Sequence, residues 1–254
     1  MLELDSPRWA TFAPEGAGPR LVPNLIQKLE RVPSDDDWDE IWELIASQWS
    51  LSLSAYAAVP HLVRLLEEQE RLARPDSLLG LARCACPLES EGKCPDDLQD
   101  EFDAALAKAA AIATRLAKDK SQAPEGYLGL LCAAAALSGR SKLGRLALSA
   151  AYCSEAEIPV CCPTCHEHLI VLFDEGFAQA SVRLEGPEQL AAVAPVAPAE
   201  ADKARGSDAV WGLGMAQQAG QQEAAAWLCA LAGFGECPQC HSPFVPLDHL
   251  SYGS

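Results

Sequence analysis

The clearest periodic stretch of the chain runs from residue 35 to residue 49. Bulky apolar side chains recur there every three or four residues, while acidic side chains occupy the positions between them. This spacing places the apolar side chains on one face of an α-helix. Ser34 stands where it can cap the first free amides, and acids follow at the positive end of the helix dipole. The apolar positions are Trp38, Ile41, Trp42, Ile45 and Trp49.

A second amphipathic helix follows a turn at 51–54 and carries Tyr56, Leu62 and Leu66 on its apolar side. Pro60 is expected near its first turn, where proline is tolerated. Apolar segments at 76–86, 95–118, 127–137 and 142–151 predict further helices. Successive hairpins of this size bury their apolar faces by stacking on one another. We therefore predict a mainly α protein in which residues 1–154 form an α-solenoid of helical hairpins.

The pattern changes after residue 151. Residues 158–161 lead into the first C-x-x-C. Residues 168–174 are rich in β-branched and aromatic side chains, and Glu175-Gly176 is a turn signal before 177–182, which predicts a β-hairpin that carries this C-x-x-C. Residues 186–206 are rich in proline, alanine and glycine and are predicted to be a linker. Helical patterns return between 207 and 233, and Phe244-Val245 is expected to form a short closing strand. Residues 155–254 are thus predicted to form a second domain, a β element interrupted by a helical insertion at about 207–233.

Composition and charge limit the partners of the protein. Hydrophobic residues make up 49% of the chain, enough for a core, and the formal net charge is −17. Such a charge repels nucleic acid and anionic membranes and favours a basic protein partner. The N-terminus lacks a signal-peptide pattern, and no apolar run approaches the length of a membrane span. A cytoplasmic location is expected.

A repeated five-residue pattern carries the candidate chemistry. Cys-Pro-Thr-Cys-His at 162–166 recurs as Cys-Pro-Gln-Cys-His at 237–241. Two C-x-x-C turns can supply the four thiolates of a closed tetrahedral zinc shell, and a closed shell is structural because no position is open to water. We predict one structural zinc in a zinc ribbon. His166 and His241 directly follow ligand cysteines and either substitute for a ligand or, as we expect, lie outside the four ligands. The predicted ligands are Cys162, Cys165, Cys237 and Cys240.

Three further cysteines, Cys84, Cys86 and Cys94, lie in and after one predicted helix. They are either a second metal site with a missing ligand or buried and half-buried thiols at a helix end. Motifs for phosphate binding, serine hydrolases and zinc proteases are absent from the sequence. We therefore predict a protein without catalytic residues.

Acidic residues cluster at 30–43 and at 89–103. They are either solvated helix faces or an electrostatic docking surface for a basic protein. As a docking surface, the first cluster would contribute Asp35, Asp36, Asp39, Glu40 and Glu43, and the second would contribute Asp96, Asp97 and Asp100.

Three segments resemble a known family. Asp-Trp-Asp-Glu-Ile-Trp at 37–42, Ser-Ala-Tyr-Ala-Ala-Val-Pro-His-Leu-Val at 54–63 and the alanine-rich 128–139 are similar to bacterial HEAT-like helical-repeat proteins. Several of these accompany polymorphic toxins of type VI secretion and Rhs systems and are taken to be immunity proteins. The resemblance, mainly over 34–150, implies a cytoplasmic immunity protein that binds and neutralises a cognate toxin. A zinc-dependent enzyme and a structural adaptor between proteins remain the alternatives.

Overall fold

The computed structural model describes residues 1–13, 18–46, 50–69, 75–87, 89–90, 92–124, 126–149, 157–174, 180–184, 193–200 and 206–251. Within these ranges the protein is mainly helical, with a small antiparallel sheet, as predicted. The predicted domain boundary after residue 154, and the predicted core residue Trp49, lie outside the described residues.

Seven helices precede the sheet and two follow it in the described chain. The first seven are α1 (Leu21–Arg31), α2 (Asp35–Ile45), α3 (Leu53–Glu68), α4 (Pro75–Ala85), α5 (Asp96–Leu116), α6 (Tyr127–Leu137) and α7 (Ser141–Ser149). The last two are α8 (Ser207–Ala219) and α9 (Gln222–Leu231).

The helices pack both on their neighbours in the chain and on their next-but-one neighbours. Helix α3 lies between α1 and α5, while α4 lies against α6, and α5 also packs against α6. Helix α6 is at the centre: all of its residues are buried, because α4, α5, α7 and α8 contact it on different sides. This explains why its sequence is apolar on every face rather than amphipathic.

The tryptophan face of α2 packs as expected. Trp38 and Trp42 are buried and their rings stack with centroids 5.6 Å apart. Ser34 accepts a hydrogen bond from the amide of Asp37 at 3.2 Å, which confirms the predicted cap. Asp37 itself is buried and pairs with Lys28 at 2.5 Å, so this acid holds α2 to α1.

Two local expectations in this part were wrong. Pro60 is the eighth residue of α3, inside the helix rather than near its first turn. It is half-buried, and its ring removes one amide from the hydrogen bonds of the helix. The segment before α3 is not only a turn, because strand β1 (Ser50–Leu51) pairs in parallel with β2 (Glu89–Ser90).

The sheet contains four antiparallel strands in sequence order. They are β3 (Glu157–Cys161), β4 (His168–Phe173), β5 (Ala180–Leu184) and β6 (Val193–Pro195). Alternate side chains are buried along β3 and β4, and the ring of Phe173 packs against that of Trp227 on α9, with centroids 6.0 Å apart. The sheet therefore rests on the helical insertion with one face.

The predicted linker at 186–206 is partly structured. Its residues 193–195 form β6, and Ala197 bridges to Phe234 just before a second, two-stranded sheet of β7 (Gly235–Glu236) and β8 (Pro243–Phe244). Short side chains made this edge strand hard to recognise, since alanine and proline are uncommon in strands. The remaining parts of the predicted linker, 186–192 and 201–205, lie outside the described residues.

The insertion is joined to the helical body through the start of α7. One carboxylate oxygen of Asp208 in α8 accepts hydrogen bonds from the amides of Lys142 and Leu143, at 3.0 and 3.3 Å. Close by, Gly212 faces Leu143, where a Cβ atom would lie 2.9 Å from the leucine methyl group. Helix α8 thus packs beside α6 and α7, and α9 packs on α8.

Candidate metal centre and acidic surface

Two tight turns between paired strands bring four cysteines together. Cys162 and Cys165 lie in the turn from β3 to β4, and Cys237 and Cys240 lie in the turn from β7 to β8. The chain after β8 then pairs with the free edge of β3, where the backbone amide of Cys161 donates a hydrogen bond to the carbonyl of His249 at 2.8 Å. Both turns are therefore fixed by strand pairing.

The geometry of the four sulfur atoms suits a metal ion. All four lie within 4.8 Å of one another. Across the two turns, Cys162 Sγ is 3.6 Å from Cys240 Sγ, and Cys165 Sγ is 3.7 Å from Cys237 Sγ. A tetrahedral site with metal–sulfur bonds near 2.3 Å has edges of about 3.8 Å, whereas a disulfide would need about 2.05 Å. The cluster can hold one metal ion.

The two turns have the same backbone design. Cys162 and Cys237 each donate their amide to a carbonyl five residues later, at 2.9 and 3.0 Å. Each also accepts, at its carbonyl, the amide of the histidine four residues later, at 3.0 and 2.9 Å. The amide of Thr164 points at Cys162 Sγ, 3.4 Å away, as expected for a turn that surrounds a thiolate. The sequence repeat is thus a structural repeat.

His166 and His241 end these turns in the left-handed region, at φ of 62° and 59°. Glycine normally suits this conformation, because a Cβ atom is disfavoured there. The ring of His241 lies 2.8 Å from a carboxylate oxygen of Glu236, on the exposed surface. Four sulfurs are enough for a tetrahedral shell, so the two histidines can serve as turn residues beside the cluster.

The surroundings of the thiols differ. Cys162 and Cys237 are buried, Cys240 is half-buried and Cys165 is exposed. Hydrogen bonds from the side chain and amide of Ser242 lower the pKa of Cys240 to about 6, whereas burial raises the pKa of Cys237. A metal must therefore displace a proton from the buried thiol, which couples binding to pH.

The other cysteines of interest do not form a second cluster in the part of the chain that the structure describes. Burial raises the pKa of Cys84 to about 12. The thiol of Cys86 points to the carbonyl of Ala136 at 3.7 Å, and that of Cys94 to the carbonyl of Pro95 at 3.6 Å. These three residues fit the interpretation as buried or half-buried thiols.

The first acidic cluster lies on the outer face of α2. Its members are exposed, in contrast to Asp37, which is buried and used by the fold. Asp36, Asp39, Glu40 and Glu43 form no ion pair with another residue of the described ranges. The exposed acids are Asp35, Asp36, Asp39, Glu40 and Glu43.

The second acidic cluster lies at the start of α5. Asp96, Asp97 and Asp100 are all exposed. Asp97, however, forms a bidentate ion pair with Arg8 of the N-terminal segment, and this pair lowers its pKa. It is already engaged within the chain, so Asp96 and Asp100 are the better candidates for contacts with a partner.

A cleft of about 380 Å³ between α2 and α4 was not predicted. It joins Asp39 and Glu43 of the first acidic cluster to Asp76 and Arg83 of α4. From the sequence, Asp76 has the appearance of an ordinary first-turn acid, and nothing in the spacing places it opposite α2. Only the packing of α4 against Trp42 brings these groups together.

No family model matches the sequence, and comparisons with curated proteins and with solved structures return no match. Among the residues described, each helix falls short of the length and apolarity needed to cross a bilayer.

Proposed function

We propose that this protein is a cytoplasmic immunity protein that binds and neutralises a cognate secreted antibacterial toxin, without catalysing a reaction. The observation that carries the proposal is the exposed acidic face of α2, a helix that is held in place by its buried tryptophans. Asp39, Glu40 and Glu43 are exposed on the helix that buries Trp38 and Trp42.

The helical body is proposed to be a HEAT-like α-solenoid. Its support is the packing of alternate helices, α3 on α5 and α4 on α6, with the α8–α9 pair continuing beside α6 and α7. Stacked hairpins produce such a pattern, because each helix meets its equivalent in the next hairpin. A stack of this kind presents broad surfaces for protein partners, which suits a binding protein.

The metal of the four-cysteine site is proposed to be zinc, held in a zinc ribbon. The support is the all-thiolate donor set together with the sulfur separations of 3.6 and 3.7 Å, which fit tetrahedral zinc. When bound, the ion supplies structural stability rather than chemistry, since the four sulfurs leave no position for water. The zinc would hold the ends of the helical insertion together.

The net charge of −17 favours fast capture of a basic toxin, before the toxin damages the cell. Opposite charges on a basic toxin raise the association rate above the ~10⁵–10⁶ M⁻¹s⁻¹ of neutral pairs. Tight binding also needs buried anchors, because exposed charges mainly affect the rate. Asp96 and Asp100 on α5 are proposed as a second group of steering charges.

The direct test co-expresses this protein with the toxin domain encoded beside its gene. We expect rescue of growth and a co-purifying complex. Reversal of two acids, Asp39→Lys with Glu43→Lys, should slow association and flatten its salt dependence. The matched control, Asp5→Lys with Glu223→Lys, makes the same charge change at exposed positions elsewhere. Absence of both rescue and complex rejects the immunity role, while equal effects of the two double variants reject the acidic face.

The metal is tested separately by elemental analysis of the purified protein. We expect one zinc per chain, lost in Cys165→Ser and retained in Cys229→Ser, which removes a half-buried thiol outside the cluster. Zinc retained by Cys165→Ser, or a parent protein purified without zinc, would contradict the proposed site.

A further inference from the structure

The cleft between α2 and α4 exists because a glycine allows a close helix approach. Gly80 lies against the indole of Trp42, and a Cβ atom on it would sit 2.6 Å from Trp42 Nε1. The small residue therefore lets the ring lie against the backbone of α4, beneath the charged residues at the rim. Gly80 and Trp42 both line the cleft.

Trp42 brings an unused hydrogen-bond donor to this cleft. The side chain is only 5% exposed, yet its indole N–H finds no acceptor among the described residues. A buried donor without a partner costs about 1–3 kcal/mol, so such groups commonly mark a place where a ligand or water binds. The ring of Trp38 is stacked on that of Trp42.

The charges around the cleft favour a cation. Carboxylates of Asp39, Glu43 and Asp76 line it, against the single guanidinium of Arg83. In the described residues, these carboxylates do not converge closely enough to form a metal-binding group, unlike the four cysteines. A larger cation with several donors spread over a plane can reach carboxylates that one metal ion cannot.

We propose that this cleft binds an arginine side chain presented by a short segment of the protein partner. The guanidinium carries five donors in a rigid fork, which suits the separated carboxylates of Asp39, Glu43 and Asp76. The indole N–H of Trp42 is fully covered in the free protein, so a backbone carbonyl of the same segment accepts it only after a small shift of the ring. The proposal deepens the immunity function and rests on it for the identity of the partner, since it names one buried anchor on the acidic face.

The experiment needs no toxin. Each of the six tryptophans gives an indole N–H signal in a two-dimensional NMR spectrum, and Trp42→Phe assigns the signal of Trp42 by its loss. Titration with N-acetyl-arginine methylamide should shift this signal saturably. The neutral isostere N-acetyl-citrulline methylamide, which has the same carbonyls but no charge, should leave it nearly unchanged.

Two matched variants on α2 locate the effect. Asp39→Asn with Glu43→Gln removes two cleft charges and should weaken arginine binding at least tenfold. Asp36→Asn with Glu40→Gln removes two equally exposed charges outside the cleft and should change binding less than twofold. An unshifted Trp42 signal, an equal response to citrulline, or equal losses in both variants would overturn the proposal.

The two proposals fail in different ways. If arginine leaves the Trp42 signal in place while the toxin is still neutralised, the immunity role stands and the arginine site is rejected. If arginine binds as expected but growth is not rescued, the cleft remains a site for arginine and the immunity role is rejected.

Discussion

Asp208 provides the sharpest test of how the insertion is attached to the helical body. Its carboxylate caps the start of α7, with bonds of 3.0 and 3.3 Å to the amides of Lys142 and Leu143. It also lies 3.9 Å from the guanidinium of Arg140, and its side chain is 13% exposed. Arg140 in turn covers the ring of Trp211, 4.8 Å from its centroid. One side chain of α8 thus organises the first turn of another helix.

The magnitude follows from these contacts. Loss of a capping side chain costs about 1 kcal/mol, and loss of a partly exposed ion pair costs about 0.5–1 kcal/mol more. Asp208→Ala should therefore lower the free energy of unfolding by about 2 kcal/mol. Asp208→Asn keeps an oxygen acceptor but loses the charge, so it should cost about 0.5–1 kcal/mol.

The assay is urea unfolding in saturating zinc, with all variants compared at constant slope. A control on the same helix start is Asp248→Ala, which removes the 2.6 Å ion pair with Lys142. Both partners of that pair are about half exposed, so its loss should cost no more than about 0.5 kcal/mol. If Asp208→Ala costs no more than Asp248→Ala, or no more than Asp208→Asn, the capping argument is refuted.

Three further predictions concern packing, the metal turns and thiol chemistry. Gly144→Ala should destabilise the protein by about 1–2 kcal/mol, because its Cβ would lie 2.6 Å from the backbone of Ala136. Gly214→Ala has open space around its Cβ and should stabilise the protein by up to about 1 kcal/mol. Equal effects of the two variants in thermal melts would contradict the α6–α7 packing. His166→Gly should keep one zinc per chain and raise the free energy of unfolding by about 0.5 kcal/mol, since it relieves a φ of 62°; lost zinc would make the histidine a ligand. Because burial raises the pKa of Cys84 to about 12, the folded protein should contain almost no Cys84 thiolate below about pH 10. Alkylation of Cys84 at about pH 8 should therefore proceed only on unfolding. Rapid labelling of the folded state would contradict the burial of this thiol.

Local signals made much of the helical part predictable. The 3.6-residue spacing of Trp38 and Trp42 and the capping Ser34 define α2 without help from the rest of the chain. The two turns that carry the four cysteines were equally predictable, because each cysteine pair specifies its own turn and the repeat indicates that the two pairs meet. Both are cases in which residues close in sequence carry the whole signal.

Features that depend on distant contacts could not be predicted. The cap that Asp208 gives to α7 joins residues 65 and 66 positions apart, so its sequence neighbours suggest only a first-turn acid of α8. The meeting of Asp76 with Glu43 depends on Gly80, whose missing side chain sets the approach of two helices. Strand β6 lies within the predicted linker, because its pairing with β5, rather than its composition, makes it a strand.

The separation of the two metal turns has a consequence for the covalent integrity of the chain. Between Cys165 and Cys237 lie 71 residues, and each flanking piece carries half of the thiol set. If the proposed ion is bound, a single protease cut within 201–205 would leave two fragments that remain associated through this ion, the strand pairing of 249–251 with β3, and the contact of Phe173 with Trp227. The nicked protein should therefore migrate as one species under native conditions, and chelation should loosen its two halves without cleavage of any further bond.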